Sequence, residues 1–163
     1  EASKASTGSL DVQMEECQVA VLLEQAVGEF EGRLFEKNID VISKIPDEPI
    51  RIMADGKLLW RVFENLLNNI CKYTQKDTRV YLSVEKENEL AVVTFKNISA
   101  YPLDITEEEL VERFVRGDKS RHTEGNGLGL NIAKSLVELQ KGTMKLVIDG
   151  DLFKVNLAFD KSV

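Results

Sequence analysis

Several polar side chains of one predicted helix have the chemistry to bind a metal ion and phosphate groups. Asn65, Asn69, Lys72 and Tyr73 follow one another at helical spacing, which places two amides, an ammonium group and a phenol on one face. An amide oxygen is a hard ligand that suits Mg²⁺ when phosphate and water supply the other ligands. The sequence therefore predicts a polar stripe along this helix that is suited to a metal ion.

A glycine-rich run later in the chain could cradle phosphates. Residues 125–130 are Gly-Asn-Gly-Leu-Gly-Leu and precede an amphipathic helix. Glycines let backbone N–H groups approach an anion, and the helix N-terminus adds partial positive charge. Alone, such a run is as often a simple turn, and its spacing matches neither the dinucleotide fingerprint nor the P-loop. Together with the polar stripe, it indicates a magnesium–nucleotide site.

A cluster of basic side chains precedes the glycine run, in a chain whose net charge is −7. Its members are Arg113, Arg116, Lys119 and Arg121. The cluster is either a solvated loop paired with nearby acids or a cation patch for a polyphosphate, and the glycine run favours the patch. The overall acidity excludes nucleic-acid binding through a broad basic face. Regular periodicity is lost over residues 98–126, which predicts a lid beside the phosphates.

Three helices and a set of strands are predicted to position these groups. Helices are expected over Val19–Lys37, over a segment capped by Asp55 and over Gly127–Lys141, with Gly142 as the stop of the last helix. The alternating segments predicted as strands are Leu10–Cys17, Asp40–Ile45, Ile50–Ala54, Thr78–Lys86, Glu89–Asn97, Thr143–Ile148 and Leu152–Phe159. The pattern predicts an α+β two-layer sandwich, in which three helices cover one face of a mixed, largely antiparallel sheet.

Cysteine and histidine are too scarce for a metal centre of their own. The chain has two cysteines, Cys17 and Cys71, and one histidine, His122, without metal-ligand spacing. The cysteines are predicted to be buried free thiols in a reducing compartment. No apolar run approaches membrane-spanning length, and no signal peptide is visible.

Three motifs resemble those of sensor histidine kinases. Residues 64–74 resemble the N box, residues 112–118 the F box and residues 125–130 the second glycine box. Their order and separation also match, and the resemblance runs from about Leu10 to about Phe159. It implies the Bergerat ATP-binding fold and transfer of the ATP γ-phosphoryl group to a histidine on a separate dimerisation hairpin. His122, in a charged loop, is expected to be an exposed residue and not that acceptor.

The same resemblance implies roles for individual residues. Asn65 would coordinate Mg²⁺, and Asn69, Lys72 and Tyr73 would line the phosphates and the nucleoside. Lys119 and Arg121 would contact the γ-phosphate and act in catalysis. Arg116 would be a third contact or the partner of Asp118. The phosphate cradle would comprise Gly125, Gly127, Leu128, Gly129 and Leu130.

Two positions bear on the alternative functions, and the first of them departs from the family pattern. Asn97 stands where the family has an aspartate that accepts a hydrogen bond from the adenine amino group, and Ser99 stands near a family glycine. An asparagine oxygen can still accept that bond, without charge. Loss of nucleotide binding would leave a non-catalytic interaction module. Arg61 stands where hydrolytic relatives carry a glutamate base, and since a guanidinium cannot deprotonate water, it disfavours a hydrolytic ATPase.

The resemblance also predicts the organisation of the protein and its partners. Residues 1–9 are expected to be a flexible linker remnant from a missing helical dimerisation domain, and residues 10–163 the catalytic domain, with its lid at about 98–126. The expected partners are ATP with Mg²⁺, the histidine-bearing dimerisation helices of the full-length protein and a response-regulator receiver domain. The isolated domain is expected to be monomeric and cytoplasmic, and the full-length protein to be membrane-associated.

Overall fold

A computed structural model of the chain describes residues 11–101 and 127–161. Its helices are α1 (Val19–Glu36), α2 (Gly56–Tyr73) and α3 (Gly127–Leu139). Its strands are β1 (Glu15–Gln18), β2 (Asp40–Lys44), β3 (Arg51–Ala54), β4 (Arg79–Glu87), β5 (Leu90–Ile98), β6 (Thr143–Asp149) and β7 (Leu152–Asp160). These bounds agree with the sequence-based elements to within a few residues, except for β1, which begins later than predicted.

The main sheet is mixed and mostly antiparallel, as predicted. Its five strands run in the order β2-β4-β5-β7-β6, and only the β2–β4 pair is parallel. Strands β1 and β3 form a separate two-stranded antiparallel sheet, which the sequence did not predict. The separate sheet is joined to the end of β7 by a bridge between Ile52 and Lys161.

The hydrophobic core lies between the helices and one face of the main sheet. On β5, Ala91, Val93, Phe95 and Asn97 alternate with more exposed residues, so one face of the strand is buried. The apolar side of α2 packs against this layer, and α2 also contacts α1 and α3. The fold is thus the predicted two-layer sandwich. Among the helices within the described residues, none is long and apolar enough to cross a membrane.

Helix α2 begins where the sequence predicts. The Asp55 side chain accepts hydrogen bonds from the backbone N–H groups of Lys57, at 3.0 Å, and Leu58, at 3.1 Å. These bonds satisfy two of the N–H groups that have no partner within the helix. Asp55 also accepts a 2.8 Å bond from the Gln13 backbone N–H. The cap therefore fixes the start of α2 and ties it to the N-terminal segment.

The end of α3 differs from the prediction. Gly142 was expected to stop the helix, but α3 ends at Leu139 and Lys141 adopts the left-handed conformation, with φ of 68°. Glycine is required at 142 for a different reason. A Cβ atom there would lie 2.7 Å from the Phe159 ring and 2.9 Å from the backbone oxygen of Ala158. Close packing on β7, and not the turn, excludes a side chain.

Candidate functional site

Helix α2 separates a buried apolar face from a polar stripe. Its buried apolar residues are Leu58, Leu59, Val62, Phe63, Leu66, Leu67, Ile70 and Cys71. On the stripe, Asn69 is buried, whereas Arg61, Asn65, Lys72 and Tyr73 are partly exposed. The stripe therefore leaves Asn65 accessible to a ligand, and packing of the opposite face holds it in place.

The C-terminal end of α2 is joined to the end of β5. The Ala100 N–H donates to the Tyr73 carbonyl, and the Gln75 N–H donates to the Ile98 carbonyl, each at 2.8 Å. Thr74 and Ser99 form an antiparallel bridge between these two bonds. The Tyr73 and Tyr101 rings meet edge to face, with centroids 6.5 Å apart. These contacts bring the end of the polar stripe next to Asn97.

Asn97 is a buried amide on the helix-facing side of β5. It is 4% exposed, and its Nδ2 group donates a 2.9 Å hydrogen bond to Oγ1 of Thr74, which is 0% exposed. The sequence predicted a role for Asn97 but assigned none to Thr74. Only the position of Thr74, directly after the stripe, could have indicated in the sequence that it belongs to the site. Its hydrogen-bond partner lies on a strand that is distant in the sequence.

Gln140 sets the direction of α3 against α2. Its Oε1 atom accepts a 3.0 Å bond from the Asp55 N–H, and its Nε2 group donates to the Leu136 carbonyl at 2.9 Å. The C-terminal end of α3 thus meets the N-terminal end of α2, and the packed helices run in opposite directions. Sequence reasoning missed this buried glutamine.

The antiparallel course brings the glycine run to the other end of α2. From Gln140 back to Gly127, α3 rises about 1.5 Å per residue and extends about 20 Å. The same length along α2 from Asp55 reaches the turn that contains Asn69. The start of α3, the end of β5 and the last turns of α2 therefore converge, and they carry three of the predicted parts of the site.

Other predicted residues lie partly or wholly outside the described residues. Arg116, Lys119, Arg121 and Gly125, and most of the predicted lid, lie in the segment from 102 to 126. Gly127, Leu128 and Gly129 form the first turn of α3, and only their backbone is described. Leu130 is buried in the core, so any contact it makes with a nucleotide falls to its backbone.

The side of α2 that faces α1 is occupied by structural contacts. The Arg33 Nη1 group donates a 2.9 Å bond to the Asn68 side-chain oxygen, and the Lys37 Nζ group donates to the Cys71 carbonyl, also at 2.9 Å. Asn68 therefore differs from Asn65, since its amide already holds α1 and α2 together.

Burial lowers the pKa of Lys37 and raises the pKa of the Cys71 thiol. Cys17 and Cys71 are both free, but Cys17 is only half-buried, contrary to the prediction.

The residues present fit a magnesium ion that binds together with a nucleotide. Within residues 11–101 and 127–161, no group of three or more His, Cys, Asp or Glu side chains could hold a metal ion. The half-buried Asn65 amide offers one hard oxygen ligand on the polar stripe of α2, one turn before Asn69. One protein ligand is sufficient where phosphate oxygens and water complete the octahedron.

Comparison with known proteins identifies the family. Residues 54–160 match the model of the histidine kinase-, DNA gyrase B- and HSP90-like ATPases. The signal transduction histidine-protein kinase BaeS of Escherichia coli K12 is 30% identical over 142 residues, which are 86% of this chain and 30% of BaeS. The chain thus spans less than a third of the length of the curated relatives that it matches first.

Solved structures show the same fold at low sequence identity. The Acinetobacter baumannii histidine kinase AdeS superposes with a TM-score of 0.80 at 18% identity, over 99% of this chain and 74% of the AdeS chain in that structure. Histidine kinase ThkA, solved in complex with the response regulator protein TrrA, superposes with a TM-score of 0.75 at 21% identity, over 93% of this chain and 42% of the matched chain in that structure. By its family match and its fold, the chain belongs to the histidine kinase-, DNA gyrase B- and HSP90-like ATPases.

Proposed function

We propose that this chain is the ATP-binding catalytic domain of a sensor histidine kinase. The observation that carries the proposal is the convergence of the α2 stripe, the β5 end with Asn97 and the start of α3. In the reaction, a histidine nitrogen on a separate helical hairpin attacks the γ-phosphorus. A P–N bond forms, the bond from the γ-phosphorus to the bridging oxygen breaks, and ADP leaves.

The residues of the site would contribute mainly position and charge. Asn65 would hold Mg²⁺, which neutralises charge on the phosphates when bound. Asn69, Lys72 and Tyr73 would line the nucleotide, and the first turn of α3 would direct backbone N–H groups toward the phosphates. Lys119 and Arg121 remain predicted γ-phosphate contacts, and Arg116 remains either a predicted third contact or the predicted partner of Asp118. Catalysis of this kind requires correct placement more than covalent chemistry.

Transfer is favoured over hydrolysis by the side chain at position 61. Arg61 lies one helical turn before Asn65 and is half-buried on the same stripe. A guanidinium has no acceptor atom, so it cannot take a proton from an attacking water. A kinase whose nucleophile belongs to another domain needs no such base.

The partners follow from the same proposal. The phosphorylated histidine would pass its phosphoryl group to a response-regulator receiver domain, and the similarity to the complexed ThkA supports that class of partner. The acceptor histidine would lie on the dimerisation helices of the full-length protein. A monomeric domain that acts in the cytoplasm, within a membrane-associated full-length protein, remains the prediction.

A transfer assay with γ-labelled ATP and Mg²⁺ tests the proposal. The histidine hairpin of the full-length protein is added as a separate chain, and acid-labile, base-stable label should appear on it. Label released as free phosphate without the hairpin would instead indicate a hydrolytic ATPase. Failure to bind Mg-ATP in a calorimetric titration would indicate an interaction module.

The base contact can be tested at Asn97. Asn97→Leu should weaken ATP binding by about 1–3 kcal/mol, because the base would lose its partner in a buried place. Asn97→Asp should keep or strengthen it, since a carboxylate accepts the same hydrogen bond. Calorimetric titration of both variants provides the measurement. Equal ATP affinity in the wild type and both variants would place the base elsewhere.

A further inference from the structure

The buried amide of Asn97 can both donate and accept a hydrogen bond. In the structure, Nδ2 donates to the Thr74 hydroxyl oxygen at 2.9 Å. Within the described residues this is the only hydrogen bond of the Asn97 side chain. Its Oδ1 atom is therefore the group presented to a base, and this orientation suits a donor such as the 6-amino group of adenine.

Thr74 can also pair with the opposite orientation of the Asn97 amide. A hydroxyl both donates and accepts, so it can pair with Nδ2 in one orientation of the amide and with Oδ1 after the amide turns over. The backbone of Asn97 is held by its partners Val80 on β4 and Phe153 on β7. Only the side-chain torsion has to change, and afterwards Nδ2 faces the base.

We infer that the Asn97–Thr74 pair allows the site to accept 6-oxo purine nucleoside triphosphates as well as 6-amino ones, an inference that rests on the proposed nucleotide function. An outward Nδ2 group would donate to a 6-oxo group, whereas an outward Oδ1 atom accepts from a 6-amino group. A carboxylate at this position could only accept. It would leave a 6-oxo group facing a negative oxygen in a buried place, which is the arrangement that a hydrogen-bonding site rejects most strongly.

Calorimetric titration of the domain with Mg-ATP and Mg-ITP tests the inference. Inosine differs from adenosine by the 6-oxo group and the attached N1–H, and it lacks the 2-amino group of guanosine, so position 6 is compared without added bulk. The dissociation constant of the wild type for ITP should lie within about thirtyfold of its dissociation constant for ATP. Asn97→Asp should increase this ITP-to-ATP ratio of dissociation constants at least about tenfold.

A matched control separates the amide from a general effect of charge. Asn156 lies on β7 with its side chain on the opposite face of the sheet, where its oxygen accepts a 2.9 Å bond from Thr94. Asn156→Asp adds the same charge and keeps an acceptor for Thr94, so its ITP-to-ATP ratio should equal that of the wild type.

Each outcome has one meaning. A wild-type preference for ATP greater than about thirtyfold overturns the inference and leaves the proposed function intact. A ratio unchanged by Asn97→Asp also overturns it. Binding of neither nucleotide by the wild type overturns the proposed function itself. Because the wild-type comparison needs no substitution, the test holds even if the buried aspartate prevents folding.

Discussion

Asn65→Ala is expected to lower Mg²⁺-dependent ATP binding by about a hundredfold, since losing a metal ligand should cost at least as much as losing a group that supports one. The amide oxygen would be the protein's direct ligand to the metal, and alanine offers no replacement. The side chain is half-buried on the polar stripe and contributes nothing to the apolar face of α2. The stability of the domain should therefore change by less than about 0.5 kcal/mol.

Asn68→Ala is the matched control for this experiment. It removes the same amide from the same helix, but its oxygen accepts a bond from Arg33 on α1. ATP affinity should stay near the wild-type value, with a stability loss of about 1 kcal/mol. Titrations with and without Mg²⁺, together with urea unfolding, distinguish the two variants. An Asn65→Ala variant with unchanged Mg²⁺-dependent affinity would remove Asn65 from the site.

Gln140→Ala should destabilise the domain by about 3–5 kcal/mol, because it combines a cavity with the loss of two buried hydrogen bonds. Gln140 is 1% exposed, and its side-chain oxygen accepts a hydrogen bond from the Asp55 N–H at the start of α2. Urea unfolding followed by circular dichroism measures the loss. If the free energy of unfolding falls by less than about 1 kcal/mol, the contact between the helix ends is dispensable.

A second variant separates packing from hydrogen bonding. Gln140→Met keeps most of the side-chain volume and removes both hydrogen bonds. It should therefore lower the free energy of unfolding by about 1–3 kcal/mol. The difference between the two variants then measures the cavity alone. If methionine is as harmful as alanine, the hydrogen bonds account for the whole effect.

Local patterns predicted the helices and most strand bounds. α2 was predictable because Asp55 caps it and its apolar residues recur at helical spacing, both of which are properties of neighbouring residues. The β6–β7 turn was predictable for the same reason, since Asp149 and Gly150 favour a hairpin. Asn65, Asn69 and Asn97 could be proposed as site residues because they lie in stretches whose order resembles a known family.

Contacts between distant residues were not predictable. Gln140 looks like an ordinary polar residue at a helix end, and only the approach of Asp55 buries it. The hydrogen-bond partner of Thr74 is Asn97 on β5, a strand that lies next to Thr74 only once the chain has folded. Gly142 was assigned to a turn because glycine favours left-handed backbone, whereas its requirement comes from Phe159 on another strand.

The two faces of α2 should produce two classes of inactive variant. Substitutions on the buried face, as at Phe63 or Leu67, would reduce the amount of folded protein in a cell. Substitutions at Asn65 would leave the amount unchanged and remove the activity of each molecule. A mutational scan that records abundance and activity separately should therefore show an alternation with the period of the helix along residues 58–73. A defective allele could then be assigned to either class from its position alone.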